Sequence, residues 1–180
     1  MSQETPVELS MTDLRVVTAY AVACAHGVLD LFEQAKPDDD RPRIAIETAQ
    51  SFADGARRSK ALRDGAWSAM RAAKEARESG HAAASEAANA AMAAAGAAFL
   101  HPLAKATQVK HILGSAAHAA HAHELATGDP DAAVDHLKRV RALATPAVVS
   151  VLRRYPAAPL GGGRVGELVR RLDVSLRGNA

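Results

Sequence analysis

The feature that most restricts the fold of this chain is the segment Ala82–Leu100, in which alanine holds most positions. Alanine is the best helix former, and its side chain fills very little space between neighbouring elements. Only 3% of the 180 residues are aromatic, although 48% are hydrophobic. The core must therefore be built by helices that approach one another closely. Because alanine lies on nearly every side of Ala82–Leu100, we predict that this segment is the central helix.

Elsewhere, hydrophobic residues recur at intervals of three and four, and no segment alternates as a strand would. With Val28–Ala35 as a short continuation of the first helix, we expect an all-α bundle of about seven to eight helices. The predicted segments are Met11–Ala25, Val28–Ala35, Pro42–Asp54, Ala56–Glu78, Ala82–Leu100, Leu103–Ala126, Asp131–Ala144, Ala147–Arg154 and Arg164–Leu176.

The spacing of helix caps and prolines indicates one domain over residues 11–176. Ser10 and Asp13 have the spacing of a capping box, and Asp129-Pro130 and Thr145-Pro146 each pair a capping residue with a proline that suits a first helical turn. Loops are expected near residues 36–41, 127–130 and 155–163. Residues 1–10 are predicted to form a polar N-terminal tail, and residues 177–180 a C-terminal tail.

Charge and composition argue against several classes of partner. The chain has 22 basic and 20 acidic residues, and the two signs are interleaved, so we expect no nucleic-acid binding. If the partner is a protein, we expect binding by shape and apolar contacts with modest salt dependence. No membrane association is expected, because Ser85, Glu86 and Asn89 interrupt the longest apolar segment.

The first residues and the single cysteine bear on the compartment. Met1–Glu8 is mostly polar and acidic and lacks an apolar signal core, which argues against export. Cys24 has no second cysteine to pair with, and it lies in an apolar helical pattern that predicts a buried thiol. We therefore expect a cytoplasmic protein.

The residues around Pro102 form the most suggestive polar set. If a long helix follows Pro102, one broad face carries imidazole, hydroxyl and amide groups rather than the lysine and glutamate that usually solvate a helix. This face is either in water or the lining of a pocket. The candidates for ligand binding in the second case are His101, Lys105, Thr107, Gln108 and His111, with Ser115 and His118 further along the same face.

Other patterns predict no reaction. His118 and His121 are three residues apart and are weak candidates for a metal site, but the chain lacks the spacings of common zinc sites, so we expect no metal and no cofactor. Gly161–Gly166 matches the glycine spacing of dinucleotide-binding loops, yet a proline-rich segment precedes it where a strand is needed. A flexible linker into the last helix is the favoured interpretation. The sequence thus contains no recognisable catalytic set, although it does not exclude an enzyme.

Several segments resemble a known family. The similarity is best over residues 97–114, and shorter similar blocks are Leu14–Tyr20, Arg41–Glu47, Arg58–Arg63 and Leu152–Pro156. Together they resemble the immunity-five-like proteins of bacterial polymorphic-toxin systems, over roughly Leu14 to Leu176. The resemblance implies an all-helical protein that binds and neutralises a cognate toxin, and it assigns no catalytic residue.

Three hypotheses follow. The first is a non-enzymatic immunity protein whose partner is a toxin. The second is a helical enzyme or small-molecule-binding protein that uses the pocket around residues 101–111, for example within a biosynthetic cluster. The third is a metal-binding bundle. The sequence does not identify the toxin or the ligand, and it gives no oligomeric state.

Overall fold

The computed structural model describes residues 6–178, and the predicted helix caps are present in it. The hydroxyl of Ser10 accepts from the backbone N–H of Asp13, whose carboxylate in turn accepts from the backbone of Ser10, which completes the capping box. Asp129 and Thr145 cap the helices that start at Pro130 and Pro146. Residues 1–5 of the predicted N-terminal tail and residues 179–180 of the predicted C-terminal tail lie outside the described residues.

The described part of the chain is all-α and contains nine α-helices and no strand. The count exceeds the predicted seven to eight because α2, which was expected to continue the first helix, is a separate element. The helices are α1 (Met11–His26), α2 (Leu29–Ala35), α3 (Arg41–Ala53), α4 (Lys60–Glu78), α5 (Ala82–Ala97), α6 (Val109–Thr127), α7 (Pro130–Leu143), α8 (Pro146–Leu152) and α9 (Gly163–Arg177), with one 3-10 turn at Ala106–Gln108.

Two predicted helix starts are wrong. Helix α4 begins at Lys60 rather than Ala56, because the carbonyl groups of Gly55 and Ala56 accept hydrogen bonds from Arg15 on α1 instead of entering a helix. Helix α6 begins at Val109 rather than Leu103. Here the Pro102 carbonyl accepts from the backbone of Val7, which holds the segment in an irregular conformation.

The alanine-rich helix α5 lies at the centre, as predicted. It packs against α1, α2, α3, α4 and α6, and most of its alanines are buried. Small residues also allow close approach outside α5. A Cβ atom built at Gly65 of α4 would lie 3.4 Å from the Cα of Ala45 on α3, which leaves no room for a larger side chain between these helices.

A buried hydroxyl joins the central helices. The Ser115 hydroxyl of α6 lies 2.7 Å from the carbonyl oxygen of Ala21 on α1 and 3.0 Å from that of Ala90 on α5. Ser115, one of the residues on the predicted polar face, is therefore inside the core. The hydroxyl uses backbone carbonyls as acceptors, so its burial leaves no unpaired polar group.

The C-terminal helices cover one side of α6. Helix α9 packs against α6 and α7, and α8 packs against α1. Arg154, after α8, forms an ion pair with Asp13 at 2.9 Å, and Arg164 of α9 forms one with Glu124 of α6 at 2.9 Å. These contacts fix the segment between α8 and α9 over the surface of α5 and α6.

The length and hydropathy of each helix indicate whether it could span a membrane. Within residues 6–178 no single helix is long and apolar enough to cross a membrane. Helices α1 and α2 satisfy the criterion only when taken together, and they are bent by 45° at the break between them.

Candidate functional site

A cavity of about 540 Å³ lies between α5, α6 and the segment that leads into α9. Its floor consists of small residues on α5 and α6, and its roof comes from residues 159–169. The residues that line it are Met92, Ala93, Gly96, Thr107, Lys110, His111, Gly114, His118, Pro159, Leu160, Gly161, Gly162, Val165, Gly166 and Val169.

The floor of the cavity is open because glycine and alanine occupy facing positions on the packed helices α5 and α6. A Cβ atom built at Gly96 of α5 would meet no other atom within 4 Å, so the space beside this residue is open. A Cβ atom at Gly114 of α6 would lie 3.7 Å from the Cβ of Ala93, which is ordinary contact. The cavity therefore follows from glycine and alanine at positions where larger residues would fill the gap.

The roof is the glycine-rich segment that leads into the last helix, α9, as predicted, and close contacts and hydrogen bonds shape it into a turn. Gly161 and Gly162 have φ values of +88° and +77°, which residues with a side chain rarely adopt. A Cβ atom at Gly166 would lie 2.0 Å from the carbonyl oxygen of Gly161, so only glycine allows this approach. Arg170 closes the turn by donating to the carbonyl oxygens of Pro159 and Gly161, at 3.1 and 2.6 Å.

His111 is the first of two imidazoles on the cavity wall. Its Nδ1 lies 3.2 Å from the carbonyl oxygen of Gly96, and because a carbonyl only accepts, Nδ1 carries the hydrogen. Burial lowers the pKa of His111, and the charge of Lys110 lowers it further. His111 is therefore neutral at pH 7, and its Nε2 is an acceptor with no partner among residues 6–178.

His118, two turns further along α6, is oriented by a buried carboxylate. Its Nδ1 lies 2.6 Å from Oε2 of Glu86, which is only 5% exposed within the alanine-rich helix α5. Burial alone would raise the pKa of Glu86, but the hydrogen bond from His118 and the nearby His121 and Arg77 outweigh it and hold this pKa below its ordinary value. The charged carboxylate thus fixes the imidazole through Nδ1, which leaves its Nε2 without a described partner.

Glu86 is a functional candidate that the sequence analysis does not include. In the sequence it indicates only an interruption of an apolar segment. A carboxylate inside an alanine-rich helix is costly to bury unless it is paired, so its position was a usable signal. The partner itself, His118, could not be identified, because the two residues meet only through the packing of α5 against α6.

The predicted ligand-binding residues separate into two groups. Thr107 and His111 line the cavity, and the neighbouring Lys110, which was not a candidate, lines it too. His101, Lys105 and Gln108 do not line it. Because α6 starts at Val109, the expectation of one continuous helical face from His101 onward is wrong.

His101 and Gln108 instead stabilise the turn before α6. The backbone N–H of His101 donates to Oε1 of Gln108 at 2.9 Å, and the Tyr155 hydroxyl donates to the His101 carbonyl at 2.8 Å. The exposed imidazole of His101 accepts from the backbone of Leu103 at 3.2 Å. Lys105 is exposed as well.

His118 and His121, the weak metal candidates, both approach Glu86. The Nδ1 of His121 lies 3.6 Å from the same Oε2 that binds His118. Across the described range no group of three or more histidine, cysteine, aspartate or glutamate side chains could hold a metal ion. Cys24 is buried as predicted, and burial raises the pKa of its thiol to about 12, so it is no nucleophile at neutral pH.

A second surface of interest is the outer face of α4. Trp67 is 54% exposed there, and Met70 is 38% exposed one turn away. Arg63 and Arg71 flank Trp67 at one helical turn on either side, and neither has a carboxylate within salt-bridge distance in residues 6–178. We call these four residues the Trp67 face.

A family model described as "Imm-5 like putative immunity protein" matches residues 8–145. The chain belongs to this family. The family assignment confirms the resemblance found in the sequence, although the match ends before Leu152–Pro156 and Leu176, which the resemblance had included. No curated protein and no solved structure shows a significant match.

The residues that match the family model contain only part of the candidate site. Helices α1 to α7 lie within it, and so do the Trp67 face, Glu86 and both imidazoles of the cavity. The roof residues, from Pro159 to Val169, lie outside it. The cavity therefore combines a floor from the matched region with a cover from the segment that follows.

Proposed function

We propose that this protein is a non-enzymatic immunity protein that binds a protein toxin in the cytoplasm and neutralises it. The observation that carries the proposal is the family match over residues 8–145. The absence of a recognisable catalytic motif in the sequence agrees with a role in binding.

The Trp67 face is the surface that we assign to the toxin. Tryptophan and arginine are the residues most enriched among those that dominate binding energy at protein interfaces. Trp67 exposes 54% of its surface, and it lies between two arginines on the same face. The opposite face of α4 is buried against α3 and α5, so the outer face is available to a partner without any change of fold.

The charges of the Trp67 face indicate what kind of toxin surface would complement it. Lys60 and Lys74 have carboxylate partners on α4, Asp64 and Glu78. Arg63 instead lies over the ring of Phe99, and Arg71 donates to the hydroxyl of Ser68. The face is therefore apolar at its centre and positive at its edges, which complements an apolar toxin surface bordered by carboxylates.

The experiment uses the toxic domain encoded beside the gene for this chain. Expression of that domain alone should arrest growth, and co-expression of this protein should restore growth. Titration calorimetry of the purified pair should then give one-to-one binding. If no toxic domain encoded next to this gene is neutralised or bound, the proposed function is wrong.

The surface assignment is tested separately with Trp67→Ala. We expect the affinity to fall by at least about thirtyfold, as for a residue that contributes about 2 kcal/mol or more to binding. Val174→Ala is the matched control, because Val174 is an exposed apolar residue on α9, 71% exposed. If Trp67→Ala binds like wild type while the pair still forms, the toxin binds elsewhere.

A further inference from the structure

We infer that the cavity under the glycine turn binds a small amphipathic carboxylic acid, with the acid group at Lys110 and the apolar body along Gly114 towards His118. A volume of about 540 Å³ is in the range of small-molecule sites. The lining is mainly apolar, and a few polar groups converge on it, which is the usual composition of such sites.

The first argument is that both imidazole rings are held in a fixed orientation. Each has its Nδ1 fixed by an oxygen, the Gly96 carbonyl for His111 and the Glu86 carboxylate for His118. Both rings line the cavity, and in each the remaining Nε2 has no hydrogen-bond partner in the described part of the chain. Both rings are therefore held ready to bond an occupant.

The second argument is the burial of Glu86. Placing a charged carboxylate in an alanine-rich helix at the centre of the fold costs free energy, which the ion pair only partly offsets. Alanine, the residue at most other positions of α5, would avoid this cost. The carboxylate fixes His118 through Nδ1 and so holds its ring at the cavity wall.

The third argument is the charge of the side chains that line the cavity. Among residues 6–178, Lys110 is the one lysine or arginine that lines the cavity, and no aspartate or glutamate of this range lines it. Glu86 lies behind His118, and its charge is paired with that residue and with Arg77. A cationic occupant would find no counter-charge, whereas a carboxylate would pair with the Lys110 ammonium group.

The length of the cavity sets the shape of the ligand. Lys110 and His118 are eight residues apart on α6, which corresponds to about 12 Å along the helix axis. Between them, Gly114 of α6 and Ala93 and Gly96 of α5 form an apolar stretch of the lining, and His111 lies at its Lys110 end. The occupant thus has a carboxylate, an apolar body of this length and room for a hydrogen-bonding group at the His118 end.

The test uses decanoate, decanol and ω-hydroxydecanoate as probes of the full chain, with binding followed by titration calorimetry and amide chemical shifts. We expect decanoate to bind more tightly than decanol by about tenfold, and the terminal hydroxyl of ω-hydroxydecanoate to strengthen binding further. Shifts should be confined to α5, α6 and the glycine turn, which line the cavity. No toxin is involved, so this result is independent of the proposed function.

Three variants locate the binding. Lys110→Ala removes an exposed side chain and should abolish the preference for decanoate over decanol, while Lys138→Ala on α7 is the control for the loss of one positive charge. Gly96→Leu should fill the cavity and abolish binding of all three probes, with the fold checked by circular dichroism. Absence of decanoate binding, equal binding of decanol, or unchanged binding by Gly96→Leu or Lys110→Ala would each overturn the inference.

Discussion

Nδ1 of His118 donates a 2.6 Å hydrogen bond to Oε2 of Glu86, and this contact joins the two most buried helices of the protein, α6 and α5. Asn89 and Arg77 also lie within hydrogen-bond distance of the same carboxylate, through Oε1. Glu86 therefore bonds three neighbours, and its replacement weakens or removes all three contacts.

We expect Glu86→Gln to lower the free energy of unfolding at pH 7 by about 1–3 kcal/mol, since a charged hydrogen bond in the core is replaced by a neutral one. Urea denaturation measures the difference. Glu78→Gln is the control, because Glu78 forms an exposed pair with Lys74 at 3.7 Å and should change stability by less than about 0.5 kcal/mol. Equal effects of the two variants would contradict the structural role of Glu86.

The contribution of Glu86 should also depend on pH. Its pKa is lower in the folded protein than the ordinary value of 4.5, so the unfolded chain takes up the proton first as the pH falls. The stabilisation is therefore fully present above about pH 4.5 and is lost below it. The difference in unfolding free energy between wild type and Glu86→Gln should shrink when measured at acid pH.

His136 on α7 should make the protein sensitive to mild acid. Burial, together with the neighbouring His123 and Arg139, lowers its pKa to about 4. The unfolded chain binds a proton near pH 6.5 while the folded chain does not, so stability falls between about pH 6.5 and 4. His136→Phe removes this proton uptake and should flatten the decline, as followed by thermal unfolding across that range.

The same variant tests the packing of His136. Neither ring nitrogen of His136 has a hydrogen-bond partner among the described residues, and the ring lies 4.4 Å from that of His123. Because two buried polar atoms are unpaired, a phenyl ring of similar shape should not destabilise the protein at pH 7. A loss of more than about 1.5 kcal/mol would show that the imidazole has a partner that the fold does not reveal.

The glycine turn should not tolerate even one methyl group at Gly166. The new Cβ atom would lie 2.0 Å from the Gly161 carbonyl oxygen, and both atoms belong to a turn that Arg170 holds. We expect Gly166→Ala to cost about 1–3 kcal/mol. Gly96→Ala, where the methyl group meets open space, should leave stability unchanged or raise it by up to about 1 kcal/mol.

Ser115 tests how tightly the three central helices are packed. Ser115→Ala removes a buried hydrogen bond and should cost about 0.5–1.5 kcal/mol. Ser115→Val also adds volume where α1, α5 and α6 meet, and should cost about 1–3 kcal/mol more. The exposed Ser51→Ala is the control and should change the unfolding midpoint in urea very little.

Much of the helical architecture could be predicted because its signals are local. The cap residues Ser10, Asp129 and Thr145 determine where helices begin through bonds to their own first turns, and the composition of Ala82–Leu100 was enough to place α5 at the centre. The starts of α4 and α6 could not be predicted in the same way. In both cases a distant residue, Arg15 or Val7, bonds the carbonyl groups that a longer helix would need.

The candidate site could be predicted only in part, for the same physical reason. Thr107 and His111 were selected by residue type and helical spacing, and both line the cavity. The pairing of Glu86 with His118 depends on the packing of α5 against α6, and the roof depends on α9. Such long-range contacts leave no periodic pattern in the sequence, so the glycine turn looked like a linker.

The division of α4 into two faces has a consequence for how such a protein can change over time. Its inner face contains Gly65 and Ala69, and a Cβ atom at Gly65 would already contact Ala45 of α3 at 3.4 Å, so a side chain larger than alanine would displace the neighbouring helix. Its outer face has no such restriction, since Trp67 and Arg71 project away from the core. Single substitutions on the outer face of α4 can therefore change the binding preference, while packing restricts substitution in the core. Under the proposed function, such a protein can adapt to a changing toxin without any change of fold.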